Sequence, residues 1–270
     1  MRTQTIERIR AHLIALTKLR DHIEHIREES RKTIPYQRRN LQAKTRILLL
    51  GDSSIAGVGA PPKQTIAAYL AQDYPHAHVE NLSFSGARIG DILAQLSKSS
   101  CQTYTLIFIN AGANDVLTFT SAREIKRLLP IVLQHAHTKT ETVVLGLAGK
   151  LRIIPLIPRS IKGIIDLRER RIHTTFKKIA DQHHAHFIDY YHDQELNEHF
   201  LKEPEKYFSK DKFHPSGEGY RIAYQKIKKT ITPLLDNKKI TIKHAALRQP
   251  KTFTQPPEQK FQKAIKNRES

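Results

Sequence analysis

Five short apolar runs, separated by stretches of helical spacing, constrain this chain more than any single motif. They are RILLL at 46–50, HVENL at 78–82, YTLIFIN at 104–110, TVVLGL at 142–147 and HFID at 186–189, each bounded by turn residues. Helical stretches are predicted near 63–73, 89–98, 121–136, 160–182 and 216–235. No two strands are close enough for a hairpin, so the pattern reads as parallel βαβ units. The expected fold is α/β: a three-layer α/β/α sandwich around a parallel five-stranded sheet. Right-handed crossovers then put helices on both faces and ligands at the C-terminal ends of the strands.

The ends of the chain have a different character. The formal charge is +19, and residues 1–44 carry +6 of it, residues 237–270 another +7. Hydrophobic residues make up 39% of the sequence, a low share for a compact globule, so part of the chain is expected to lie outside the core. Three regions follow: a basic amphipathic helical extension at 1–44, an α/β domain at 45–236, and a basic, disordered tail at 237–270. Within the extension, Ile6, Ile9, Leu13, Leu16, Leu19, Ile23 and Ile26 share one stripe of a helix over 5–31, which ends before Ile34-Pro35. That stripe reads as docked on the domain or on a second copy. A membrane-surface helix fits less well, because Glu7, Glu24, Glu28 and Glu29 dilute its charge. A single cysteine, Cys101, excludes a disulfide framework and fits a reducing compartment. With no secretory pattern and no span-length apolar run, the expected location is cytoplasmic.

The first strand runs into an unusual turn, LLLGDSSIAGVGA at 48–60. A phosphate-binding loop would need a Gly-Lys-Ser/Thr ending, which is missing. A dinucleotide fingerprint would need another glycine rhythm and an acidic residue closing the next strand, which ends instead in Asn81-Leu82-Ser83. The remaining reading is a nucleophile turn presenting Ser53. Serine needs a base in hydrogen-bond reach, and a carboxylate to orient that base. Asp211 and His214 stand three residues apart before the last helix, so one tight turn can direct both to the same cleft. The backbone N–H groups of Ser53 and Gly86, with the Asn114 amide, would hold a developing oxyanion. Asp52 and Asp115 read as braces and helix caps.

These blocks resemble the SGNH hydrolases, also called the GDSL esterase/lipase superfamily. Gly51-Asp52-Ser53 with Gly57 is similar to the first family block, Asn81 through Gly86 to the second, Gly112-Ala113-Asn114-Asp115 to the third, and Asp211-Lys212-Phe213-His214-Pro215 to the fifth. The four name-giving residues are Ser53, Gly86, Asn114 and His214. The resemblance spans about residues 45–235. It implies a flavodoxin-like fold and hydrolysis of esters or thioesters, with no metal and no cofactor, on a small-molecule or lipid ester such as a lysophospholipid-like substrate.

Some features stay outside that match. AGKLRIIPLIPRSIKGII at 148–165 reads either as an acyl groove or lid, or as an irregular packed connection. His183, His184 and His186 lack a carboxylate in register and read as a solvated turn, and His135 and His137 as a helix end. Cys101 is expected to be inert and distant from any histidine, and Tyr190 and Tyr191 to pack at the sheet end. The basic ends support an alternative, a binding protein contacting anionic membrane or nucleic acid. Sparse aromatics and the lack of a nucleic-acid fold signature argue against nucleic acid.

Overall fold

In a computed structural model of the chain, residues 2–245 are described, and the chain divides into two compact units, 1–235 and 236–270. The first unit holds β1 (Arg46–Gly51), β2 (His78–Asn81), β3 (Leu106–Asn110), β4 (Val143–Gly146) and β5 (His186–Ile188). All neighbours pair in parallel, in the order β2-β1-β3-β4-β5. Leu49 lies opposite Asn81 on one side and Phe108 on the other, and Leu145 lies between Ile109 and Phe187. The continuous apolar runs are explained by burial on both faces, which alternating residues would not survive. The chain leaves β1 toward β2 and returns to β3 on the opposite side. That reversal opens a crevice at the C-terminal ends of β1 and β3.

Ten helices complete the described residues: α1 (Arg2–Ser30), α2 (Ser53–Ala56), α3 (Ile66–Asp73), α4 (Ile92–Ser97), α5 (Ala113–Leu117), α6 (Ala122–His137), α7 (Arg159–Gln182), α8 (Gln194–Lys202), α9 (Pro204–Tyr207) and α10 (Gly217–Ala245). Side-chain caps start four of them, one of which, at α2, belongs to the site described below. Thr65, Ser121 and Asp193 accept from the N–H groups of Ala68, Glu124 and Leu196, respectively. On α6 the buried residues Ile125, Leu128, Leu129, Val132, Leu133 and Ala136 recur at helical spacing, which makes its inner face continuous.

The extension joins the same unit as the sheet. Leu19 and Ile23 of α1 are buried and the helix packs along α7, whereas Leu13 is exposed. After α1, Arg38 exchanges both backbone hydrogen bonds with Val79 at 2.9 Å, and its guanidinium donates to the carbonyls of Ala71 and Pro75. One short bridge therefore covers the outer edge of β2, an edge that would otherwise present unpaired backbone.

The last helix differs from expectation at its far end. It continues to Ala245 instead of stopping near 235, so the segment 237–245 is helical. No proline or glycine occurs between Pro233 and Pro250, so no local breaker interrupts the helix after residue 235. The remainder of the expected tail, 246–270, lies outside the described residues. Among the described residues no helix is long and apolar enough to cross a membrane.

Candidate active site

The site begins where β1 turns into α2. Gly51 passes so close to β3 that a Cβ there would sit 2.1 Å from the Asn110 carbonyl oxygen, which restricts the position to glycine. Asp52 caps α2, its Oδ1 accepting from the Ser54 N–H at 2.9 Å and the Ser54 hydroxyl at 2.7 Å. Burial pushes the Asp52 carboxyl up, against those two bonds. It braces the turn that presents Ser53. Ser53, the first residue of α2, is held by backbone geometry at the strand end.

The turn before α10 supplies the partners. His214 Nε2 lies 2.8 Å from Ser53 Oγ, and His214 Nδ1 lies 2.7 Å from Asp211 Oδ2. The second carboxylate oxygen of Asp211 accepts from Ser209 Oγ at 2.6 Å and from the N–H groups of Phe213 and His214 at 2.8 and 2.9 Å. Burial alone would raise the Asp211 pKa. The bond and charge of His214, with the Ser209 and backbone donors, outweigh it and hold the carboxyl well below its ordinary range. An ionised Asp211 fixes the ring with its proton on Nδ1 and a lone pair on Nε2, facing the serine.

The ends of β2 and β3 are tied together behind this trio. Gly86 takes φ +83°, a left-handed conformation that glycine adopts without strain, in the loop after β2. Asn114, near the start of α5, donates from Nδ2 to the Ala87 carbonyl at 3.0 Å. Its neighbour Asp115 accepts from the Ile89 N–H at 2.9 Å, so both residues anchor the Gly86 loop to β3. Arg168 of α7 in turn holds the carbonyls of Asp115, Val116 and Thr120. Asn81 braces the serine turn from the side, donating to the Ile55 carbonyl at 2.9 Å.

A cavity of about 140 Å³ opens onto Ser53, Asn114 and His214. Its other walls are mostly apolar, with Ile66 from α3, Leu151 and Ile154 from the loop after β4, and Phe200, Phe208 and Phe213 around α8 and the final turn, while Asn110, Lys150 and Asn197 add polar groups. Gly86 is outside this lining; its neighbour Ala87 accepts from Asn114, which lines the cavity. The segment 148–165 divides in two. Residues 148–151, 153 and 154 line the cavity, whereas Ile157, Ile161 and Ile165 are buried beneath it. Tyr190 also lines the cavity, and Tyr191 donates its hydroxyl to Asp166 Oδ1 at 2.9 Å.

Several positions fall elsewhere than expected, or were not anticipated. Cys101 is not distant from histidine: its sulfur, His78 and Glu80 bring their donor atoms within 4.8 Å of one another in the interior. The three approach through β2 and the loop before β3, a juxtaposition that sequence distance conceals. His183 ends α7, and its carbonyl meets the His137 ring at 2.9 Å. Gln95 belongs to no recognisable motif. Its buried amide clamps Gly51 from both sides, accepting from the Gly51 N–H and donating to the Gly51 carbonyl at 2.8 Å each. The available signal was a polar residue on the apolar stripe of Ile92 and Leu96. α7 shows the same signal in Asp166, Glu169 and His173, all buried at steps of three and four.

The sequence matches the GDSL-like Lipase/Acylhydrolase family over residues 49–222, and the chain belongs to that family. It is accordingly a carboxylic ester hydrolase. Among solved structures, it resembles a member of the lipolytic protein G-D-S-L family from Veillonella parvula DSM 2008, at TM-score 0.56 and 21% identity over 70% of this chain and 98% of that one. TesA follows at TM-score 0.54 and 20% identity, covering 70% of this chain and 99% of its own. A catalytic mutant of Axe2, an acetylxylan esterase from Geobacillus stearothermophilus, superposes at TM-score 0.55 with 19% identity, over 69% and 94%. At such identities these structures speak to the fold. No curated protein matches the sequence.

Proposed function

We propose that this chain cleaves carboxylic esters with Ser53 as nucleophile, His214 as general base and then acid, and Asp211 as the orienting carboxylate. The observation that carries the reading is the relay of 2.8 and 2.7 Å contacts from Ser53 Oγ through His214 to Asp211, at the mouth of an apolar cavity. Ser53 Oγ attacks the ester carbonyl as its proton passes to His214 Nε2. The backbone N–H groups of Ser53 and Gly86, and Asn114 Nδ2, stabilise the oxyanion. Collapse of the tetrahedral intermediate expels the alcohol, which takes the proton from His214. A water activated by the same ring then releases the acid and restores Ser53.

The cavity supports an acyl-chain substrate. Its 140 Å³ is close to the volume of an apolar cavity that accepts benzene, which suits an acyl chain of roughly four to eight carbons. An acetyl group, the acyl part that Axe2's substrate is named for, would leave most of these apolar walls uncovered. Rates on p-nitrophenyl esters should therefore rise from acetate to a maximum at a medium chain; a maximum at acetate would remove the acyl-pocket assignment. Ser53→Ala should abolish hydrolysis and labelling by a fluorophosphonate, with Ser54→Ala largely active. Retained labelling in Ser53→Ala would sink the nucleophile.

A further inference from the structure

The loop leaving β5 carries a second histidine–carboxylate constellation that ester hydrolysis does not use. Asp189 follows β5 directly, His192 comes three residues later, and His173 projects from α7. His173 Nε2 is 2.9 Å from Asp189 Oδ1, and His192 Nδ1 is 3.0 Å from Asp189 Oδ2. The His192 N–H also donates to Asp189 Oδ1 at 3.0 Å, fixing the turn. The two imidazoles stand edge to face with centroids 5.0 Å apart, and the donor atoms of all three side chains lie within 4.8 Å of one another. His173 is buried against Phe187 and Tyr191, and His192 is open to solvent.

We propose that His173, Asp189 and His192 bind one divalent transition-metal ion, Zn²⁺ being the best fit, with water completing the tetrahedron. Two imidazoles and a carboxylate form a donor set that Zn²⁺ accepts readily. Ligands bonded at about 2.0–2.2 Å around a tetrahedral centre lie about 3.3 Å apart, so the two His–Asp spacings need to open by only a few tenths of an ångström. A metal binds through imidazole lone pairs and carboxylate oxygens, and these three side chains supply two of the first and one of the second within a single cluster. On binding, each ring proton moves to the nitrogen not used as a ligand. The exposed His192 gives the ion an entry path.

The His78, Glu80 and Cys101 group satisfies the same proximity and fails on chemistry. His78 Nδ1 accepts from the Asn40 N–H at 3.1 Å, so its proton sits on Nε2 and no lone pair faces the cluster. The Glu80 oxygens are taken by Ser100 and Tyr104. At the β5 site an ion would pin residues 189–192 to α7, beside the Tyr190 that lines the cavity.

The test uses the full chain, stripped with EDTA, exchanged into chelator-free buffer and titrated with ZnCl₂ by calorimetry and thermal unfolding. One binding event per chain and a rise in Tm are expected, and Co²⁺ in its place should give the visible absorption of a four-coordinate site. His192→Ala removes an exposed ligand and Asp189→Asn keeps the shape without the charge. Each should weaken the event by at least about tenfold and lose the rise in Tm. His76→Ala, a remote exposed histidine, should change neither. Equal Zn²⁺ affinity in wild type and His192→Ala overturns the site, as does no binding by wild type.

Discussion

Two buried histidines in this molecule lean on carboxylates in nearly the same way. The His214 side chain is 5% exposed and 2.7 Å from Asp211; the His173 side chain is 4% exposed and 2.9 Å from Asp189. Burial and pairing therefore do not distinguish them. The rest of each ring's surroundings does. His214 spends Nδ1 on its carboxylate and turns Nε2 to a serine at a cavity, so a proton can leave the serine along a defined path. His173 spends Nε2 on its carboxylate, beside a second imidazole, and meets no nucleophile. A histidine–aspartate pair is thus a frame, and the group facing the other nitrogen decides its chemistry.

Matched substitutions test that distinction most strongly. Asp211→Asn should lower kcat by about 10⁴, because the neutral amide no longer enforces the ring tautomer that leaves Nε2 free to accept a proton. Asp189→Asn should leave esterase kcat close to wild type. Equal losses in the two variants would erase the contrast. A smaller effect is expected at the oxyanion. Asn114→Ala should reduce kcat by about 10²–10³ with little change in KM, since the bond strengthens mainly in the transition state. A raised KM with unchanged kcat would make Asn114 a substrate-binding residue instead.

The smallest expected effect is on stability against pH, and here the two regions differ in sign. Asp211 has a lowered pKa, so its contribution is present above the unfolded value and is lost as pH falls through the folded one. Glu169, one turn before His173 on α7, is raised well above 4.5 by burial, despite the Leu151 N–H that donates to it. Folding then favours its protonated form, and stability falls as pH rises above about 4.5. Glu169→Gln should flatten that fall, read as Tm across pH 4 to 8. An unchanged slope would mean that another group titrates there.

What the sequence made legible was what repeats locally or stands at a strand end. The apolar runs located all five strands within two residues, and the Gly51–Ser53 and Asp211–His214 blocks marked the two turns that meet. Residues whose meaning depends on distant partners were not legible. Gln95 clamps a glycine 44 positions away, and His173 reaches Asp189 from the middle of a helix. The four- and five-residue helices α2 and α5 are too short for periodicity to reveal. The continuation of α10 to Ala245 shows the opposite limit: weak apolarity beyond 235 does not mark a helix end where no proline or glycine intervenes.

The hydrogen bond between Ser53 and His214 closes a loop of 161 positions, which has a consequence for the order of events during synthesis. At about 5–20 residues per second, His214, the proposed base, emerges roughly ten to thirty seconds after Ser53, the proposed nucleophile. By the end of that interval the nascent chain carries β1 through β5, the serine turn and most of the cavity's apolar wall. Under the proposed mechanism it then has no base to activate the serine. Hydrolytic competence would arrive last, with the turn that leads into α10, and a chain stalled before that turn would be chemically silent however well its sheet has formed.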